Sequence, residues 1–473
     1  MSARLFLVSD VAGALEPCGC VKDQLGGMDH VLAFVAAESK AAPSAMLAAG
    51  PLFFMDPKIE DDRKGQDQSK AETLAAAFKQ AGLLAFAPAE NDHALGDATL
   101  DALAKTASAT MLHNDVVVRD LGGVKLGVIG VTPDAEAPEP IVKRGVEQAK
   151  AQGARAILVL ASIGRGPAKR IADAVPELTA ILVGQKSGGG DANTETPPGE
   201  RVGDVLIAET GNHLQTVAVL DLHVRDDGSV FADASNLEDR QARRALDAQI
   251  KELRTKIALV TQAKSSNAED PRQAELEKLL TERSALDHAA APASGSFFRY
   301  RTVEMRESVG QAGTELLRAY YKKVNDANKL AFADRKPTAP EPGQPAYVGI
   351  DACVDCHESA KKVWDKTAHA HAYKTLTDQF KEFNLDCVSC HVTGYERPGG
   401  STVTAVKGLT DVQCEVCHGP GSKHTENPKT AMPVARPGPN VCASCHHPPH
   451  VHAFDAPSKL QEILGPGHGR PLK

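Results

Sequence analysis

No apolar run in this chain approaches the roughly 20 residues that a membrane-spanning helix needs, so no segment is expected to cross a bilayer. Positive charge is not in excess either. The net charge is −8 and the isoelectric point about 6.1, so a nucleic-acid partner has no electrostatic footing. Aromatic residues make up only 4% of the chain, and Trp364 is its one tryptophan. The opening residues, Met1 to Asp10, have neither the long apolar stretch nor the cleavage site of a secretion signal. They read as the first buried strand of a domain. From Asp351 to Lys473, Val, Leu, Ile and Phe are thinly scattered among Gly, Pro, His and Lys. Such a segment has too few large apolar side chains to fold on its own core.

What that last quarter does have is cysteine, in one pattern four times over. Cys353-Val-Asp-Cys356-His357, Cys387-Val-Ser-Cys390-His391, Cys414-Glu-Val-Cys417-His418 and Cys442-Ala-Ser-Cys445-His446 all read Cys-x-x-Cys-His. This is the attachment spacing of c-type haem. The two thiols add to the porphyrin vinyl groups, and the histidine reaches the iron as proximal ligand. Zinc ribbons also use Cys-x-x-Cys pairs, but zinc does not require the histidine that follows every time here. The expectation is four covalent haem c groups and their iron, with His357, His391, His418 and His446 as proximal ligands. Four porphyrins would supply the missing apolar bulk, so the haem-free segment should be largely unfolded. Haem c is normally attached outside the bacterial cytoplasm. The protein is therefore expected to be periplasmic or otherwise exported, with its signal peptide upstream of Met1.

A chain of 473 residues should form two or three domains. Residues 1–235 alternate short apolar runs with amphipathic stretches, the pattern of an α/β domain with a mixed sheet. Strands are expected at Arg4 to Val8, Ala45 to Ala49, Asp115 to Val118, Lys125 to Val131, Ala156 to Leu160, Ala180 to Val183, Val205 to Glu209 and Thr216 to His223. Gly122-Gly123 marks a hairpin between the third and fourth of these. Helices are expected at Met28 to Glu38, Ala71 to Ala81, Ile141 to Ala151 and Ala168 to Ala174.

Residues 236–290 carry a heptad stripe of Leu246, Ile250, Leu253, Ile257 and Val260. After a polar break come Leu276, Leu279, Leu280 and Leu286, which fits a hairpin of two antiparallel helices. Residues 291–345 read as a connecting segment. It holds a strand at Phe297 to Glu304, a helix at Gly313 to Asn328 and a stiff proline-rich linker at Lys336 to Pro342. The haem domain takes residues 346–473.

Ordered short motifs give residues 4–225 a resemblance to the calcineurin-like metallophosphoesterases, in their 5′-nucleotidase-like branch. Ser9-Asp10-Val11-Ala12-Gly13-Ala14-Leu15-Glu16-Pro17 resembles the opening segment of that family, and Gly50-Pro51 its Gly-Asp motif. Glu90-Asn91-Asp92-His93 lies where Gly-Asn-His-Glu is expected. Ser162-Ile163 and Gly184-Gln185-Lys186 take the places of two histidine-bearing segments. The resemblance implies an α/β metallophosphoesterase-like sandwich. A two-metal hydrolase needs about four to six hard ligands. Asp10 is kept, but Ala12, Pro51, Ser162 or Ile163, and Gln185 stand at four ligand places, so the metal site is expected to be degenerate. Cys18-Gly19-Cys20 occupies the same loop. It reads either as a reactive redox pair or as a structural pair, since a disulfide across one residue is strained and easily reduced.

The C-terminal region resembles the cytochrome c554 family of tetrahaem proteins through Trp364, Thr367 to Tyr373, Cys387 to Tyr395, Val412 to Gly421 and Gly465 to Gly469. The resemblance implies a mostly α-helical and irregular domain. Its haems would stack in close pairs and pass electrons between redox partner proteins, a donor and an acceptor. It favours His369, His424, His450 and His468 as distal ligands, with His371 and His452 as weaker candidates. Electron transfer is the expected function, and an oligomer is compatible with it. Two alternatives stand beside it. One is a redox enzyme reducing a small nitrogen or sulfur compound at an open haem or at Cys18 and Cys20. The other is a working phosphoesterase. The sixth ligand of each iron separates carrier from enzyme.

Overall fold

The run Ala156-Ile157-Leu158-Val159-Leu160-Ala161 is apolar without alternation, the signature of a strand covered on both faces. In the computed structural model it is an interior strand whose two faces serve different cores. Leu158 and Leu160 join the core between two sheets, while Ile157, Val159 and Ala161 face a helix layer. The two-residue period of a strand does this sorting. The structure describes residues 1–17, 24–188, 193–226, 228, 230–237, 240–263, 271–286, 290–306, 310–429, 431, 433–447 and 454–472. Cys18, Cys20, His450 and His452 lie outside the described residues.

The first unit, Met1–Thr314, is an α/β sandwich of two mixed sheets. In chain order its elements begin with β1 (Ser2–Ser9), α1 (Met28–Glu38), β2 (Ser44–Ala49), α2 (Lys64–Gln80), β3 (Leu83–Ala87), α3 (Asp97–Ala107) and β4 (Thr110–Met111). They continue with β5 (Val116–Leu121), β6 (Val124–Val131), α4 (Pro138–Ala151), β7 (Ala156–Ser162), α5 (Arg165–Ala174) and β8 (Ala180–Gly184). β9 (Glu200–Val202), β10 (Val205–Ala208), β11 (Thr216–His223), β12 (Ala232–Asp233), α6 (Arg240–Ala263), α7 (Gln273–Ala285) and β13 (Phe297–Glu304) follow. One sheet has the order β12-β13-β11-β1-β2-β3-β4 and the other β5-β6-β7-β8-β10-β9. Leu5, Leu7, Leu47, Leu126, Leu182 and Leu220 fill the space between them. Val142, Val146 and Ile171 bring α4 and α5 onto the outer face of the second sheet.

The Gly122-Gly123 hairpin forms, with β5 and β6 paired antiparallel from Val116↔Ile129 to Leu121↔Val124. The structure adds β3 and α3, which the sequence pattern does not mark. Leu-Leu-Ala-Phe-Ala is a short apolar run, and periodicity alone does not tell such a run from a buried helix segment. The heptad stripe closes the α6–α7 hairpin through Ile250, Leu253 and Leu276. Arg283 Nε donates to Asp247 Oδ1 at 2.7 Å, and Arg243 Nη2 to the Leu286 carbonyl at 2.9 Å, which sets the antiparallel register.

The expected connecting segment 291–345 divides between the two units. β13 pairs with β11 along its whole length, from Thr216↔Glu304 to His223↔Phe297, and buries Phe297, Phe298 and Tyr300. It is a strand of the first sandwich. Local sequence marks a strand there but not the sheet that claims it, because that choice rests on long-range burial.

The second unit, Glu315–Lys473, opens with α8 (Thr314–Ala331), which buries Leu317, Tyr320, Val324, Asn325 and Asn328 along one face. Asn325 Oδ1 accepts the Phe383 N–H at 3.0 Å, and Asn328 Nδ2 donates to the Phe383 carbonyl at 2.8 Å. Short helices follow, among them Glu358–Trp364, Val388–His391, Cys414–His418 and Ala456–Ile463. Buried apolar side chains are few beyond Leu376, Val388, Val392, Val403 and Leu409. Hydrogen bonds to one strap, residues 411–415, do much of the joining instead. Asp411 N–H donates to the His391 carbonyl at 3.0 Å and Val412 N–H to the His369 carbonyl at 3.1 Å. Trp364 Nε1–H donates to the Val412 carbonyl at 2.8 Å, and Gln413 Oε1 accepts the Ile350 N–H at 2.7 Å. Among the described residues no helix is long and apolar enough to cross a membrane.

Candidate functional site

Each Cys-x-x-Cys-His stretch brings its two thiols and its imidazole onto a turn or a short helix, as at Val388–His391 and Cys414–His418. All eight of these cysteines are free thiols. The fold brings motifs together in pairs. The Cys353 and Cys414 thiols lie close enough to perturb one another's ionisation, as do those of Cys390 and Cys445. Cys417 lies close enough to Cys442 to feel its charge. The motif order in space is therefore first, third, fourth, second.

Three histidine pairs face one another across these motifs. The ring centres of His357 and His424 are 6.2 Å apart, those of His369 and His446 6.2 Å, and those of His418 and His468 6.3 Å. Two imidazoles bonded to one metal from opposite sides, with metal–nitrogen bonds of about 2.0 Å, have ring centres about 6.3 Å apart. Backbone carbonyls fix the tautomer of several of these rings. His418 Nδ1 bonds the Val434 carbonyl at 2.6 Å, His424 Nδ1 that of Ala431 at 3.0 Å and His468 Nδ1 that of Ile463 at 2.8 Å. A carbonyl only accepts, so Nδ1 carries the hydrogen and Nε2 keeps its lone pair for a metal. Burial lowers the pKa of His369 and His446, which favours the neutral, ligating form. Thiol pairs, opposed rings and Nε2 lone pairs together fit haem c.

His391 differs. Its Nδ1 bonds the Ala372 carbonyl at 2.5 Å, but among the described residues no histidine ring faces it. His371 is exposed. His450 and His452, two of the candidate distal ligands, lie outside the described residues. Sequence reasoning missed Phe454, whose ring stacks on His446 at 4.3 Å. It also missed Glu415, a motif residue at a place where any side chain is allowed.

In the first unit the side chains quoted from the phosphoesterase motifs gather at the C-terminal ends of β1, β2, β3, β7 and β8, as a hydrogen-bonded cluster. Asp10 Oδ1 accepts the Gln185 N–H at 2.8 Å. Gly50 has φ +82°, and a Cβ there would fall 2.1 Å from Asp10 Oδ1, so only glycine fits. Ser162 Oγ accepts the Gly50 N–H at 2.7 Å and donates to the Ala87 carbonyl at 2.8 Å. Asn91 Nδ2 donates to the carbonyls of Phe54, Met55 and Gly188. Asp92 accepts the N–H groups of Leu52, Phe53 and Ala89 at 2.9, 2.8 and 3.0 Å. His93 sits at the rim against Asp97, and Gln185 and Arg165 both hold Glu209. Burial pushes the Asp10 carboxyl up to about 7, with the Gln185 N–H opposing it, and Asp92 up to about 6. Ala12 and Pro51 meet backbone to backbone, N–H to carbonyl at 2.8 Å. Neither side chain has an atom that can coordinate a metal. Among the described residues, no three His, Cys, Asp or Glu side chains converge to hold a metal ion.

Comparison with known proteins finds a family match within the second unit. Residues 352–419 match the family model of cytochrome c554 and c-prime. Cytochrome c-554 of Nitrosomonas europaea is 37% identical over 91 residues, 16% of this chain and 39% of that protein. The match thus spans well under half of the relative's length. The second unit thus holds a segment similar to cytochrome c554, and three of the four Cys-x-x-Cys-His stretches fall within the matched residues.

Among solved structures, a 5′-nucleotidase precursor from Thermus thermophilus is similar with a TM-score of 0.44 and 16% identity, over 72% of this chain and 61% of that one. The sulfate thiohydrolase SoxB of the same organism gives 0.38 and 15% over 46% and 53%. The calcineurin-like phosphoesterase YfkN of Bacillus subtilis gives 0.39 and 15% over 48% and 87%. All three share 16% identity or less with this chain.

Proposed function

We propose that this protein is an exported electron carrier that passes electrons through four haem c groups held by its second unit, between a donor and an acceptor redox protein. The observation that carries the reading is the set of three opposed histidine pairs at 6.2 to 6.3 Å. Bound haem iron supplies a one-electron ferric–ferrous couple. The chain supplies the rest. Cys353 and Cys356, Cys387 and Cys390, Cys414 and Cys417, and Cys442 and Cys445 are the thioether sites. His357, His391, His418 and His446 are the proximal ligands, and His424, His468 and His369 are the distal ligands to the first, third and fourth motifs. At these three motifs the paired histidines would hold the iron and leave no place on it for another ligand. Thiol contacts between motifs support a path in the order first, third, fourth, second.

Export belongs to the same proposal, because haem c is attached outside the cytoplasm. Haem count and EPR of the purified holoprotein test it. Four haems with three low-spin bis-histidine signals are expected, and a count other than four would sink the reading. Cell fractionation should find the holoprotein outside the cytoplasm.

One observation favours a second reading at the same unit. His391 has no facing histidine among the described residues, so the second motif is the place where a small nitrogen or sulfur compound would bind and be reduced. Cyanide or nitric oxide binding to one haem in four supports that reading. Four haems inert to both ligands would remove it.

A further inference from the structure

Glu415 lies between the cysteines of the third motif, at a place the attachment chemistry leaves open. It is 3% exposed, and among the described residues only backbone donors hold its carboxylate. The Val348 N–H lies 3.0 Å from Oε1, the Gly349 N–H 2.8 Å from Oε2 and the Gly421 N–H 2.7 Å from Oε1. Val348 and Gly349 lead into the first motif, and Gly421 follows the third. One side chain therefore grips the approach to Cys353 and the exit from His418. The neighbouring chain is shaped for this. Gly349 has φ +80°, and a Cβ there would meet the Gly408 carbonyl at 2.5 Å. Gln413 takes the next N–H, that of Ile350, at 2.7 Å.

A buried charge on such donors is poorly screened by water and acts strongly on groups beside it. The Cys353 and Cys414 thiols lie close together, so both attachments share that surrounding. A fixed negative charge favours ferric over ferrous iron.

We infer that Glu415 is a positioning residue that holds the chain before the first motif against the third and, through its buried negative charge, lowers the midpoint potentials of the haems at those two motifs. This rests on the four-haem reading above. The test is a spectroelectrochemical titration of the full holoprotein carrying Glu415→Gln, which keeps the shape and removes the charge. Four haems with one or two midpoint potentials moved upward are expected, and four haems with unmoved potentials overturn the inference. If that variant assembles fewer than four haems, Gly421→Ala decides. It keeps the carboxylate and brings a methyl to 3.2 Å from Oε1. A shifted potential then supports the role, and four unmoved potentials overturn it. Wild-type haems that do not titrate at all would defeat the electron-transfer reading instead.

Discussion

The Oδ1 atom of Asp10 accepts the backbone N–H of Gln185 at 2.8 Å, at the place where the phosphoesterase resemblance would put two metal ligands. A carboxylate and an amide there close a loop onto a strand end. Burial pushes Asp10 up to about 7, the Gln185 N–H opposes the shift, and Glu209 adds to it. A group whose folded pKa lies above its unfolded value contributes stability that is fully present below the unfolded pKa, near 4. That contribution is lost as pH rises through the folded value. Relative to Asp10→Asn, the native chain should therefore lose stability between pH 4 and pH 7, by at most about 1.4 kcal/mol per pH unit. Urea unfolding of both proteins at pH 5 and pH 7 checks this, and parallel pH dependences would contradict it.

Asp92 is the staple of the neighbouring loop, with three backbone N–H groups on one buried carboxylate. Asp92→Ala should leave those donors unmet. Each buried donor without a partner costs about 1–3 kcal/mol, so the first unit should lose at least that much stability. Thermal unfolding followed by circular dichroism measures the loss. A change within about 0.5 kcal/mol, the usual range for surface substitutions, would rule out the stapling role.

His424 faces His357 at 6.2 Å. His424→Ala should convert one haem in four from low-spin to high-spin and open it to cyanide, with the other three unchanged. His371→Ala, at an exposed residue, should leave the spectrum as it was. EPR of the two oxidised proteins tells them apart.

The second unit buries few apolar side chains, while the first has two leucine- and valine-rich cores. Serine in place of the eight motif cysteines should therefore unfold the second unit and spare the first. Limited proteolysis should then leave a protected fragment ending near residue 314, the end of the first unit. Equal protection of both units would show that the second folds without its cofactor.

Much of the first unit is legible because its signals are local. Gly122-Gly123 allows the positive φ at both residues that a tight hairpin needs, and Ala156 to Ala161 makes a doubly covered strand. β13 was legible as a strand and not as a member of the first sheet, since its partner β11 lies far off in sequence. Glu415 and Gln413 left no mark, because what they do is accept from backbone N–H groups of distant segments.

The sequence by itself determined where the proposed covalent chemistry would fall. Cys-x-x-Cys-His needs only five adjacent residues to present two thiols and an imidazole to one porphyrin, so spacing is enough. It also determined that the second unit has little apolar core of its own. The tertiary structure decided which histidine stands across from which. His357 and His424, His369 and His446, and His418 and His468 are remote in the chain, and packing brings each pair together, with carbonyls orienting His418, His424 and His468. It alone decided that His391 stands apart among the described residues, and that the chain before the first motif is gripped by a carboxylate inside the third.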